Sequence, residues 1–261
     1  MSTTSVSRVR TEGAEEGESG MSQAFWLAKK DIRRAWLSYP ASGLFLLFFG
    51  FIAMSSVWGV ETQAVNGPRN LPQAWFFADY IFVIAGCVLV VNAISMDYLR
   101  IWTEDIFSSR IAFLRSLPLS TGTLVGSRMI SMLFAIPFTV PAFFLPVYFF
   151  TRLGDLGFSY VWLCGVWLGW GLLYAGVTLM CELGLSGKAY CWISFVLVAV
   201  LAAGLLLIES VFVIGLVESS AALVERFGPI PALVSLLIGS ISFWLLSRLT
   251  VRRIERREAG N

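Results

Sequence analysis

Ala41-Ser-Gly-Leu-Phe-Leu-Leu-Phe-Phe-Gly-Phe-Ile-Ala-Met-Ser-Ser-Val-Trp-Gly-Val60 is a run of 20 residues without a charged side chain. A helix needs about 20 mostly apolar residues to cross the hydrocarbon core of a bilayer, so this run reads as a membrane span. Working outward, five more segments qualify: Trp75 to Met96, Leu124 to Phe150, Ser159 to Cys181, Cys191 to Ile208 and Pro229 to Ser247. The expected fold is an all-α integral membrane protein with six transmembrane helices over residues 41–247. Residues 1–21 are a polar tail with an acidic run from Glu12 to Glu18, expected to be disordered. Met21 offers an alternative start. Residues 22–40 form an interfacial helix, and residues 248–261 a basic tail.

Composition agrees with the spans. Hydrophobic residues make up 57% of the chain and charged residues 14%, too little polar surface for a soluble domain of this length. The 10 Trp and 21 Phe suit lipid-facing surfaces and interfacial belts. Histidine is absent, which excludes His-based metal sites, Ser-His-Asp triads and Cys-His dyads. Cys87, Cys164, Cys181 and Cys191 lie in or beside apolar segments without C-x-x-C spacing, as small packing residues do. The nearest approach to a phosphate-binding loop is Gly187-Lys188-Ala189, with Glu182 where the first glycine belongs. The chain is therefore expected to have no nucleotide site of its own and not to be an enzyme.

Charge placement sets the orientation. Sixteen of the 19 Lys and Arg fall on one side: those between Arg8 and Arg34, Arg100 to Arg128, Lys188, and Arg248 to Arg257. Only Arg69, Arg152 and Arg226 fall on the other. The positive-inside rule puts the rich side, with both termini, in the cytoplasm of a cell membrane.

The connections carry the chemistry. Phe25, Ile32, Trp36 and Tyr39 recur at helical steps on one face before the first span, with Lys30 and Arg34 opposite and Lys29 and Arg33 beside them. Such a helix lies in the interface against anionic lipid, or acts only as a positive-inside anchor. Pro40 is expected to end it. Between the second and third spans, Trp102, Ile106, Phe113 and Leu117 mark one apolar helical face. Glu104 and Asp105 stand toward its start and Arg110 and Arg115 toward its end, as a helix dipole favours. Two readings stay open here: a docking helix for a soluble partner, or an interfacial helix with solvated charges.

The run Glu104-Asp105, then Phe113-Leu-Arg-Ser116-Leu117-Pro118-Leu-Ser-Thr, then Leu124-Val-Gly-Ser-Arg128 resembles the permease subunits of type-2 ABC exporters. Thr121 departs from that pattern, since a basic residue often follows the Ser-Leu-Pro-x-Ser turn. The resemblance implies a subunit that forms half of an export pathway beside a second, identical or homologous, permease. A separate ATPase would bind ATP and Mg, and this chain would carry no cofactor. The coupling helix would comprise Glu104, Asp105, Ile106, Phe107, Arg110, Phe113, Leu114 and Arg115. A secondary transporter or channel, and a membrane assembly protein without transport, are the alternatives.

Beyond the fifth span, helix from Cys191 to Val217 would run about 40 Å, longer than a core of about 30 Å, so tilt, a break or a return into the leaflet is expected. The family often has a re-entrant segment there; Glu209, Glu218 and Glu225 then rim an outer mouth, or else are solvated loop charges. Asn92 is a candidate pathway residue or interhelical bridge, and Asp79 is expected to snorkel at the outer interface. Pro137, Pro141 and Pro146 are expected to kink the third span. Gly165, Gly169 and Gly176 suggest a close-packing face. Arg252 to Arg257 suits anionic lipid without invoking nucleic acid. The apolar pathway carries no cargo signature.

Overall fold

The computed structural model describes residues 20–66, 71–89, 119–184, 187–212 and 215–259. Those residues are helical apart from short turns, with no strand among them. In chain order they form α1 (20–34), α2 (Ser38–Asn66), α3 (Leu71–Ile81), α4 (Thr121–Phe150), α5 (Ser159–Gly184), α6 (Gly187–Phe212), α7 (Leu216–Phe227) and α8 (Ile230–Ala259). The end of α3 widens into a π-helical stretch, Phe82–Leu89. Among the described residues four helices are long and apolar enough to cross a bilayer: α2, α4, α5 and α8. Phe76–Gly86 and Trp192–Leu207 are shorter apolar stretches where the second and fifth spans were expected. The described residues are thus all-α, and the four long apolar helices mark the protein as membrane-embedded.

Two pairs of long helices run parallel, and glycine makes both possible. A Cβ on Gly169 would lie 2.3 Å from Ser235 Oγ, and one on Gly239 would lie 2.1 Å from the Gly169 carbonyl oxygen. Gly165 meets Ala232, and Gly176 meets Phe243 and Leu246. The expected glycine face is therefore the seam between α5 and α8, and the rising register of both partners makes the helices parallel. Without a hydrophobic drive between spans, close backbone approach and van der Waals contact supply the attraction. Ser235 Oγ donates to the Val166 carbonyl at 2.7 Å, stitching the seam. The second pair is α2 with α4, where Gly43 meets Phe138 and Gly50 meets Ala142 and Phe143. Pro146 has no N–H, which leaves the Ala142 carbonyl without its usual helical donor. Gly50 packs at that carbonyl, where a Cβ would sit 3.1 Å from the oxygen. Helix α4 continues through all three prolines.

Between the pairs, α4 and α5 form an antiparallel hairpin turned by a 3₁₀ segment, Arg152–Leu156. Gly157, with φ of 55°, takes a positive-φ conformation open to glycine that admits the chain to α5. The hairpin has a buried aromatic centre: Phe82 lies 5.3 Å from Phe143 and 5.3 Å from Trp167 between ring centroids, and Phe143 packs edge-on to Phe144. The Tyr160 hydroxyl donates to the Phe144 carbonyl at 2.8 Å, satisfying itself inside the bundle.

This topology defines two ends. The starts of α2, α4 and α6 and the ends of α5 and α8 share one, with Arg128 and the arginines from Arg248 to Arg256. The opposite end holds Arg152 and Arg226. Outward faces of α2, α6 and α8 expose Phe45, Phe48, Phe195, Val200, Leu237, Ile241 and Trp244, as lipid-facing surfaces do.

Candidate functional site

The site residues expected from sequence divide into three groups. The coupling set Glu104, Asp105, Ile106, Phe107, Arg110, Phe113, Leu114 and Arg115 lies outside the described residues, as does Asn92. Glu209 belongs to α6, but its side chain is likewise outside the description. The interfacial residues and Glu218 and Glu225 are described.

Helix α1 docks through Ala24, Leu27 and Ala28, spaced three and four apart and buried against the bundle. Phe25 and Trp36 are exposed, each at 62%, Ile32 is half-buried, and Lys29, Lys30, Arg33 and Arg34 are exposed. Lys30 Nζ sits 5.4 Å over the Trp26 ring. Tyr39 does not share a face with Phe25 and Trp36. It is buried in α2, its ring 5.2 Å from Phe134 of α4. The helix turns at 35–37, before Pro40, because proline is accommodated in the first turn of the next helix, where its missing N–H breaks no bond.

At the basic end, Arg128 of α4, partly exposed, and Glu182 of α5, buried, form an ion pair. Arg128 Nε and Nη2 each donate to Glu182 Oε2 at 3.1 Å, and Nη2 lies 3.0 Å from Oε1. Glu182 is 4% exposed, so the pair is held largely out of water. Tyr39 and Ser131 meet beside it, within the field of Arg128 and Asp31. Such a pair locks two helices together and costs much to break, because Glu182 left alone stays buried.

At the opposite end stands a second polar contact. Asp79 of α3 is fully buried, not snorkelling at the interface. Its carboxylate accepts from the backbone N–H of Leu216 and from that of Val217, the latter at 2.9 Å. These are the first amides of α7, which lack helical partners of their own. Gly215 at the N-cap provides no side-chain acceptor, so Asp79 supplies the cap from across the fold. A carboxylate at a helix start also meets the positive end of the dipole.

Helix α7 is amphipathic and too short to cross. Val217, Ala221 and Val224 face the bundle, while Glu218 and Glu225 are exposed on its outer side. It packs on α5, α8 and α3, and Gly228, with φ of 61°, turns the chain into α8. Next to the Asp79 helix, Trp167 Nε1 is buried without a hydrogen-bond partner among the aromatic rings. Among the described residues no three Cys, Asp or Glu side chains converge as a metal site.

Sequence reasoning missed both polar contacts. Asp79 and Leu216 lie 137 positions apart, and Arg128 and Glu182 lie 54 apart. The one available signal was Asp79, an acid inside an apolar segment, which demands a partner. Comparison with family models, with curated proteins and with solved structures gives no match to this chain.

Proposed function

We propose that this chain is the membrane-spanning subunit of an ATP-driven exporter. It forms half of a translocation pathway beside a second permease copy or a homologous permease. A separate cytoplasmic ATPase, binding ATP and Mg, drives it through the segment from Glu104 to Arg115. The chain crosses the plasma membrane six times with both termini in the cytoplasm.

The observation that carries this reading is the parallel pairing of α2 with α4 and of α5 with α8. A chain that ends α2 at one face and begins α4 at the other must cross back in between. The same holds between α5 and α8, where the 26 residues of α6 span about 39 Å. Two return crossings added to the four long helices would make six, which supports that count. The same pairing brings the chain into α4 at the basic end, directly after the Glu104–Asp105 and Ser-Leu-Pro segment that resembles a coupling loop. An amphipathic helix folded back at the opposite end, with Glu218 and Glu225 outward, suits an outer gate.

Purification from the native membrane in mild detergent is expected to recover an ATPase subunit, and Glu104→Lys with Asp105→Lys is expected to release it. Association and ATP-driven transport surviving that change intact would remove the exporter reading. The second reading, an ion-driven transporter, is favoured by Asp79 and by the Arg128–Glu182 pair, ionisable groups inside the apolar bundle. Under it, transport persists without ATP and stops when the ion gradient is collapsed.

A further inference from the structure

The basic end of α8 carries more than diffuse charge. Leu249, Arg252, Arg253 and Arg256 recur at steps of three, one and three, which places them on one helical face. With Met180 of α5 they line an open cleft of about 470 Å³, within the range of about 300–1,000 Å³ typical of ligand sites. Its wall is mainly apolar, yet three of its five lining residues are arginines. No carboxylate among the described residues pairs with any of the three, and Glu255, on the same turn, does not line the cleft. One turn toward the membrane, Arg248 lies 5.2 Å over the exposed Trp244 ring, an aromatic–basic pair typical of the bilayer boundary. The cleft therefore lies along the last turns of α8, with Leu249 nearer the apolar stretch of the helix and the three arginines nearer its basic end.

We infer that this cleft binds one anionic phospholipid, its headgroup phosphate forked by Arg252, Arg253 and Arg256 and its upper acyl chain laid against Leu249 and Met180. Arginine suits the task because its planar fork matches phosphate oxygens. The mixed lining matches a lipid better than a free anion, which has no use for an apolar wall. The inference rests on the membrane placement of the bundle and not on the exporter reading.

The test is native mass spectrometry of the purified full chain titrated with phosphatidylglycerol or phosphatidylcholine. Each basic side chain near an anionic surface contributes roughly fivefold in binding, so the wild-type protein should prefer phosphatidylglycerol by about ten- to a hundredfold. Arg252→Gln/Arg253→Gln/Arg256→Gln should erase the preference. Arg152→Gln/Arg226→Gln, which removes charge at the opposite end of the bundle, should keep it. Leu249→Trp, at an exposed position, retains every charge but fills the cleft, and it too should lose the lipid; it decides the matter if the triple variant misfolds. Equal retention of both lipids by the wild type, an equal loss in the opposite-end control, persistence in Leu249→Trp, or displacement by inorganic phosphate would each overturn the inference.

Discussion

Gly239→Ala adds a single methyl group to the seam between α5 and α8. Its Cβ would lie 2.1 Å from the Gly169 carbonyl oxygen, 2.9 Å from its carbon and 3.1 Å from its Cα. Ordinary contact begins near 3.4 Å, so the helices must part by about 1.3 Å locally. All three obstacles are backbone atoms, and no rotamer change relieves them. Forced overpacking of a tight interior costs about 1–3 kcal/mol, and the upper end applies where backbone must move. Parting the seam also stretches the Ser235 hydrogen bond to Val166. Gly204→Ala on α6 is the control: nothing lies within 4 Å of its Cβ position, and alanine favours helix by up to about 1 kcal/mol. Thermal unfolding in detergent and steric-trap measurements in bicelles should show Gly239→Ala clearly destabilised and Gly204→Ala neutral or stabilised. Equal stability of the two variants would refute the close parallel packing.

Arg128→Ala should destabilise the protein by about 3–5 kcal/mol, since Glu182 is left buried and charged. A double-mutant cycle with Glu182→Ala, read by unfolding in detergent, should return strong coupling; additive losses would contradict the pair. Asp79→Ala leaves two α7 amides without an acceptor, at about 1–3 kcal/mol each. Hydrogen exchange at Leu216 and Val217 should then quicken by roughly ten- to a hundredfold, while α5 amides stay protected; unchanged exchange would show that the cap is dispensable. Arg128→Lys should recover only part of the Arg128→Ala loss, because an ammonium point charge cannot hold both Glu182 oxygens as a guanidinium does.

Local composition made the long helices legible, and spacing made the glycine seam legible. Gly165, Gly169 and Gly176 fall near one face of a helix whatever its partner, so the close-packing surface was visible before α8 was known to fill it. The docking face of α1 was not, because Phe25 and Trp36 outrank Ala24 and Ala28 in any hydrophobicity pattern, while the bundle accepts Ala24, Leu27 and Ala28 and leaves both aromatics exposed. Large aromatics remain on the outside, where lipid receives them as readily as a protein core would. Asp79 illustrates a different limit. An acid in an apolar run announces that a partner exists, but the partner is a pair of backbone amides on a distant helix, which no side-chain pattern encodes. Glu182 was legible only as a failed glycine in a phosphate-loop comparison, and Arg128 only as one positive charge among many. Their meaning required the α4–α5 hairpin to bring them together.

The direction of the parallel helices decides which surface meets the cytoplasm, and a labelling experiment reads it directly. In a background with Cys87, Cys164, Cys181 and Cys191 replaced by serine, single cysteines at Ser219 on α7 and at Arg252 on α8 are exposed to a membrane-impermeant maleimide in sealed cells. Labelling of Ser219→Cys in intact cells, with Arg252→Cys reacting only after permeabilisation, is the predicted result. Labelling of both positions from the same side would contradict the crossing between them and the export pathway built on it.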